Sequence, residues 1–162
     1  MIQRIQTIYL AIVAILSSVS LFSVIARFTN GADTVAEFTN FSFSTLKEPF
    51  TAMTSTGPWA LGCILILVIL LTIATIFMFN HRMHQLRLTI FNTILLVGYV
   101  AVYGFFSWLY LNKLAVVDAK ADVEFQLCAM AIFPVISIIL NIMAIHNIRK
   151  DERLVRSLDR IR

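Results

Sequence analysis

Four apolar runs separated by polar stretches of unequal length set the layout of this chain. They cover residues 5–26, 59–79, 88–111 and 125–145. About 20 residues are needed to cross the hydrocarbon core, so the pattern predicts four transmembrane helices. The first run follows Met1-Ile2-Gln3-Arg4, a positive start that resembles a signal peptide. Its apolar segment exceeds the roughly 7–15 residues of a signal core, so it reads as a retained helix. The connections are an outer loop at 27–58, a short central turn at 80–87 and a second outer loop at 112–124.

Local punctuation fills in this frame. Asn30-Gly31-Ala32-Asp33 reads as a turn, and Phe41-Ser42-Phe43-Ser44 alternates apolar and polar residues. A short β-like element is therefore expected in the first outer loop. Phe38, Phe41 and Phe43 would anchor it against the membrane surface. Asn40-Phe41-Ser42 matches a glycosylation sequon, a pattern short enough to occur by chance. Thr56-Gly57-Pro58-Trp59 is a good helix start, with Trp59 as an interfacial aromatic. Pro134 falls inside the fourth run and predicts a kink there. Ala11, Ala14 and Ser18 form a small-residue stripe for helix packing, and Tyr99, Tyr103, Phe106 and Tyr110 an aromatic one.

Composition strengthens the membrane reading. Hydrophobic residues make up 59% of the chain and charged residues 14%, against roughly 45–50% and 25% in soluble proteins. The net charge of +4 would suit nucleic acid until the charges are placed. Arg4, Arg82, Arg87, Arg149, Lys150, Arg153, Arg156, Arg160 and Arg162 lie on the side of the termini and central turn. Arg27, Lys47, Lys113 and Lys120 lie on the other. The excess predicts that both termini and the turn are cytoplasmic, with anionic inner-leaflet lipid as the nearest partner and no nucleic acid. The expected fold is an all-α membrane protein. Its two helical hairpins, N-in and C-in, make a domain over 1–148, followed by a basic amphipathic tail at 149–162.

The two hairpins share a faint echo. Gln3, Thr7, Ile8 and Tyr9 match Gln85, Thr89, Ile90 and Phe91, the last pair by similarity. A match this short carries little weight for duplication.

Candidate chemistry is sparse. Every Lys, Arg, Asp and Glu falls outside the apolar runs, which disfavours ion-coupled transport through a buried carboxylate. Cys63 and Cys128 stand at similar depths near the outer ends of their spans and form a candidate thiol pair, although neither belongs to a C-x-x-C motif. His81, His84 and His146 lie near the cytoplasmic ends. Adjacent Arg82 and Arg87 disfavour a cation, so no metal or other cofactor is expected. Tyr9, Thr75, Asn92 and Asn141 each lie about 6 Å inside the cytoplasmic end of a different span, a spacing that suits an interhelical polar layer. Arg82, Arg87, Arg149, Arg153, Arg156 and Arg160 would dock lipid or a partner.

The opening Met1-Ile2-Gln3-Arg4-Ile5-Gln6-Thr7-Ile8-Tyr9-Leu10 resembles a family of uncharacterised four-helix inner-membrane proteins of Bacteroidota, a domain of unknown function. The longer first outer loop, the basic turn and the charged tail fit the same layout. The resemblance implies a bacterial inner-membrane location and brings no catalytic residues. The functional expectation is a non-enzymatic accessory or assembly subunit, with a membrane-protein partner or a second copy of itself. The alternative is binding or transport of a lipid or quinone between the helices, facing Tyr99 and Tyr103. A thiol oxidoreductase acting through Cys63 and Cys128 comes third.

Overall fold

A computed structural model describes residues 2–31, 33–46, 55–56, 58–78, 82–117 and 123–159. The elements in order are α1 (Ile2–Phe22), β1 (Val24–Asn30), β2 (Asp33–Thr39), β3 (Ser42–Thr45), β4 (Ser55–Thr56), α2 (Trp59–Phe77) and α3 (Arg82–Val117). They are followed by β5 (Val123–Leu127), a 3-10 turn (Ala129–Ile132) and α4 (Phe133–Asp159).

The all-α expectation is overturned. Among the described residues four helices carry a five-stranded antiparallel sheet in the order β4-β3-β2-β1-β5, so strands from the segment after α1 and from the segment after α3 belong to one β structure. Strand β1 pairs with β2 through a turn at Gly31, whose φ of 64° is cheap only for glycine. On its other side β1 pairs with β5, matching Phe28 with Phe125 and Arg27 with Gln126. The separate hairpins merge as well. α1 packs on α2 and α4, and α3 packs on the same two helices, closing a ring.

Several boundaries move for the same reason. α1 ends at Phe22, and Val24 to Ala26, read as helix, begin β1. Phe125 and Leu127 lie in β5 rather than in the fourth helix. Pro134 is the second residue of α4, a first-turn position where its missing N–H costs nothing, so no kink follows. α3 starts at Arg82, not Leu88, and its 36 residues extend about 54 Å. α4 continues without a break into the basic tail as far as Asp159. Among the described residues the halves of the chain also differ, with four strands after α1 and one after α3.

All four helices contain stretches long and apolar enough to cross a membrane. Their surfaces are inverted relative to a soluble bundle. Ile15, Leu70, Ile94 and Ile142 are more than half exposed, whereas Ser17, Thr72, Thr89, Asn92, Ser137 and Asn141 are buried. The buried positions recur at three- and four-residue steps along each helix, one inward stripe per helix. Apolar side chains facing outward suit a hydrocarbon solvent, and polar ones inward can bond across helices.

The extra length of α3 explains the sheet's position. Tyr110 and Leu114, buried near its C-terminal end, enter the core with Phe28, Phe38 and Phe43. Tyr110 stacks on Phe43 at 4.1 Å between centroids and lies 5.5 Å from Phe38. Phe28 contacts Phe43 and Phe125 at 5.8 and 5.6 Å. Phe38 and Phe43 are thus core residues of the sheet–helix interface, not the surface anchors expected of them. Phe41 is the partly exposed member of the three.

Candidate functional site

Asn40, on the turn between β2 and β3, joins the sheet to three helices. Thr39 fixes the turn, accepting from the Ser42 amide at 3.0 Å and donating to the Ser42 carbonyl at 2.9 Å. The fully buried Asn40 side chain donates from Nδ2 to the Ser20 and Leu21 carbonyls at 2.8 and 3.1 Å. These lie in the last turn of α1, where carbonyls lack i+4 helical partners, although the Ser20 carbonyl also accepts from the Ser23 amide at 3.3 Å. Its Oδ1 accepts from the Tyr99 hydroxyl of α3 at 2.7 Å, and its backbone carbonyl accepts from the Gly62 amide of α2 at 3.2 Å. One asparagine therefore satisfies groups on α1, α2 and α3. Such a side chain is a poor glycosylation acceptor in the folded state. Sequence reading passed over Asn40 because its partners are 20 and 59 residues away.

Below this junction lie the residues of the expected polar layer. Asn92 is buried and donates from Nδ2 to Thr72 Oγ1 at 3.0 Å, linking α3 to α2. Thr72 in turn donates to the Val68 carbonyl at 2.7 Å. Thr75, one turn further along α2, donates to the Leu71 carbonyl of its own helix at 2.6 Å. Asn141 is fully buried on α4, and neither its amide nitrogen nor its oxygen has a partner among the described residues. Tyr9 is half-buried on α1. The direct bond in this region is thus Asn92–Thr72, and Thr72 was missed because depth counting pointed to Thr75.

The remaining candidates are dispersed. Cys63 is exposed on α2, Cys128 is half-buried after β5, and both are free thiols. His84 and His146 are exposed on α3 and α4, while His81 lies outside the described residues. Among the described residues no three His, Cys, Asp or Glu side chains are grouped to hold a metal ion. Arg87 and Arg149 are exposed. Arg82, Arg153 and Arg156 lie within α3 and α4, and Arg160 falls outside the described residues.

Two recesses flank the end of β5. One, of about 300 Å³, lies between β5 and α3 and is lined by Tyr103, Gly104, Ser107, Trp108, Leu111, Phe125 and Leu127. The α3 members recur at four-residue steps, so a single helix face supplies them. The other, about 450 Å³, is more polar and includes Ser23, Arg27, Gln126, Leu127 and Cys128. Arg27 uses Nε to pair with Glu37 on β2 at 3.0 Å. Leu127 borders both recesses. The aromatic stripe divides between the apolar cleft and the core, for Tyr99 is buried against Asn40 whereas Tyr103 reaches the cleft.

No curated protein matches the chain. A family model described as a domain of unknown function, DUF4293, matches residues 2–161, which takes in all four helices and the sheet. The chain belongs to the DUF4293 family.

Proposed function

We propose that this is a non-enzymatic accessory or assembly subunit of a complex in a bacterial inner membrane, of the Bacteroidota type that the opening residues resemble. Both termini and the central turn face the cytoplasm, and the sheet forms a head on the outer side. The observation that carries the reading is the Asn40 junction. A buried side chain that ties α1, α2, α3 and the sheet together makes the head one rigid body with the bundle. A rigid head suits holding a neighbour in register better than opening a passage between helices. The Lys and Arg distribution supports the orientation. Arg149, Arg153 and Arg156 on the extension of α4 would add contacts to anionic lipid, each contributing about 1 kcal/mol.

Crosslinking in intact membranes, mild solubilisation and mass spectrometry test the role. A partner, or a second copy, recovered in near-stoichiometric amount is expected. A solitary monodisperse species would count against it. Orientation is tested on Cys63→Ser protein with a membrane-impermeant maleimide. Cys128 should label from the outer side of intact cells, and labelling only after lysis would reverse the topology.

A further inference from the structure

We infer that the free edge of β5 holds a phospholipid of the outer leaflet, with one acyl chain in the apolar cleft against α3 and the phosphate at Arg27. This goes beyond the accessory role and does not depend on it.

The position of the cleft points to lipid. Tyr99 is level with the end of α1, because Asn40 bonds both. The cleft residues Tyr103 to Leu111 therefore begin about 6 Å above that level. Trp59 and Phe22, near that level, are 65% and 83% exposed, and Trp108, about 14 Å above it, is 62% exposed. Exposed aromatics of this kind mark the zone between hydrocarbon and water, where an acyl chain can leave the leaflet and enter a side cleft. The cleft's volume of about 300 Å³ is at the lower end of the range for ligand sites.

The chemistry of the walls matches an ester-linked chain. Tyr103, Trp108, Phe125 and Leu127 offer apolar surface, and Gly104 keeps the floor open, since a Cβ there would meet nothing within 4 Å. Ser107 is 5% exposed, and its Oγ has no partner among the described residues. A buried hydroxyl without a partner is costly, and an acyl ester carbonyl would accept from it. Across Leu127, the second recess presents Arg27, whose ion pair with Glu37 uses only Nε. The other guanidinium donors suit phosphate oxygens. β5 is an edge strand, so a lipid can lie around its open side without breaking a ladder.

The test uses the purified full chain in detergent with phosphatidylethanolamine carrying a diazirine on one acyl chain. After irradiation, adducts should concentrate in peptides containing Tyr103–Leu111 and Phe125–Leu127. Gly104→Leu should lower these adducts by about fivefold, equivalent to roughly 1 kcal/mol. Gly98→Leu is the control, because Gly98 is exposed on α3, has open space around it and lies outside the cleft. It should label like the parent. Leu127→Ala, which adds no bulk, should also reduce labelling, and serves if Gly104→Leu fails to fold. Arg27→Gln should bring labelling by the phospholipid down to that by a diacylglycerol with the same chain. Adducts spread evenly over the four helices, or unaffected by Gly104→Leu and Leu127→Ala, would overturn the chain site. Equal labelling of the parent by diacylglycerol and phospholipid would overturn the phosphate assignment.

Discussion

The Tyr99 hydroxyl donates to Asn40 Oδ1 at 2.7 Å, linking the middle of α3 to the turn that ends β2. Both side chains are at most 1% exposed. In that setting each polar group depends on the other, and on the α1 carbonyls that Asn40 also serves. The bond is where the β head and the helical bundle become one structure.

Asn40→Ala should therefore cost about 3 kcal/mol, because it removes the Asn40 acceptor of the Tyr99 hydroxyl and the donor to the Leu21 carbonyl, while the Ser20 carbonyl keeps only its bond from the Ser23 amide. Tyr99→Phe should cost less, about 1–2 kcal/mol, since Asn40 keeps its two donated bonds. The double variant should be less destabilised than the two losses added together. Chemical unfolding in detergent measures all three. Wild-type stability in Asn40→Ala would mean that the junction contributes nothing.

The helical part of this fold was legible in the sequence because helices are local. A run of apolar residues such as 59–79 announces its helix without reference to the rest of the chain. The sheet was not, because β1 and β5 are joined by pairings such as Phe28 with Phe125, 97 residues apart. Val24, Ile25, Phe125 and Leu127 are apolar and adjoin helical runs, so a short strand at each end was absorbed into its neighbouring helix. Phe38 and Phe43 went astray for a related reason. An aromatic beside a predicted membrane looks like an anchor until a long helix, here the C-terminal end of α3, supplies Tyr110 to bury it. Asn92 was legible as an inward polar residue from its depth, but its partner Thr72 depends on how α2 and α3 are rotated, which depth does not fix.

The bundle interior gives a contrast between two asparagines. Asn92→Ala removes the bond to Thr72 and should cost about 1 kcal/mol. Asn141→Ala removes an amide that has no partner among the described residues, and should cost less than Asn92→Ala. Thermal unfolding of both variants in one detergent decides the order. A larger loss for Asn141→Ala would show that its amide is satisfied in the folded protein.

Phe28 ties β3 and β5 together through Phe43 and Phe125. Phe28→Ala should cost about 3–5 kcal/mol, the usual range for emptying a buried aromatic site. Because β1 is paired on both sides, the loss should loosen residues 24–45 and 123–127 together. Hydrogen exchange followed by mass spectrometry would show the two segments losing protection in step, while α2 keeps its own. Independent loss of protection would mean that the loops fold separately.

Gly62 and Phe41 provide a prediction whose sign reverses with background. The Phe41 ring lies on α2 where a Cβ at position 62 would stand, so an alanine there must push the ring aside. Phe41 is 44% exposed and free to swing, so Gly62→Ala should cost only about 1 kcal/mol, at the low end for overpacking. Alanine is otherwise the better helix former, by roughly 0.5–1 kcal/mol. In a Phe41→Ala background the obstruction is gone, and Gly62→Ala should become stabilising by about that amount. Four unfolding curves, for the parent, both single variants and the double, measure the reversal. If Gly62→Ala had the same sign in both backgrounds, the glycine would be present for a reason other than room for the ring.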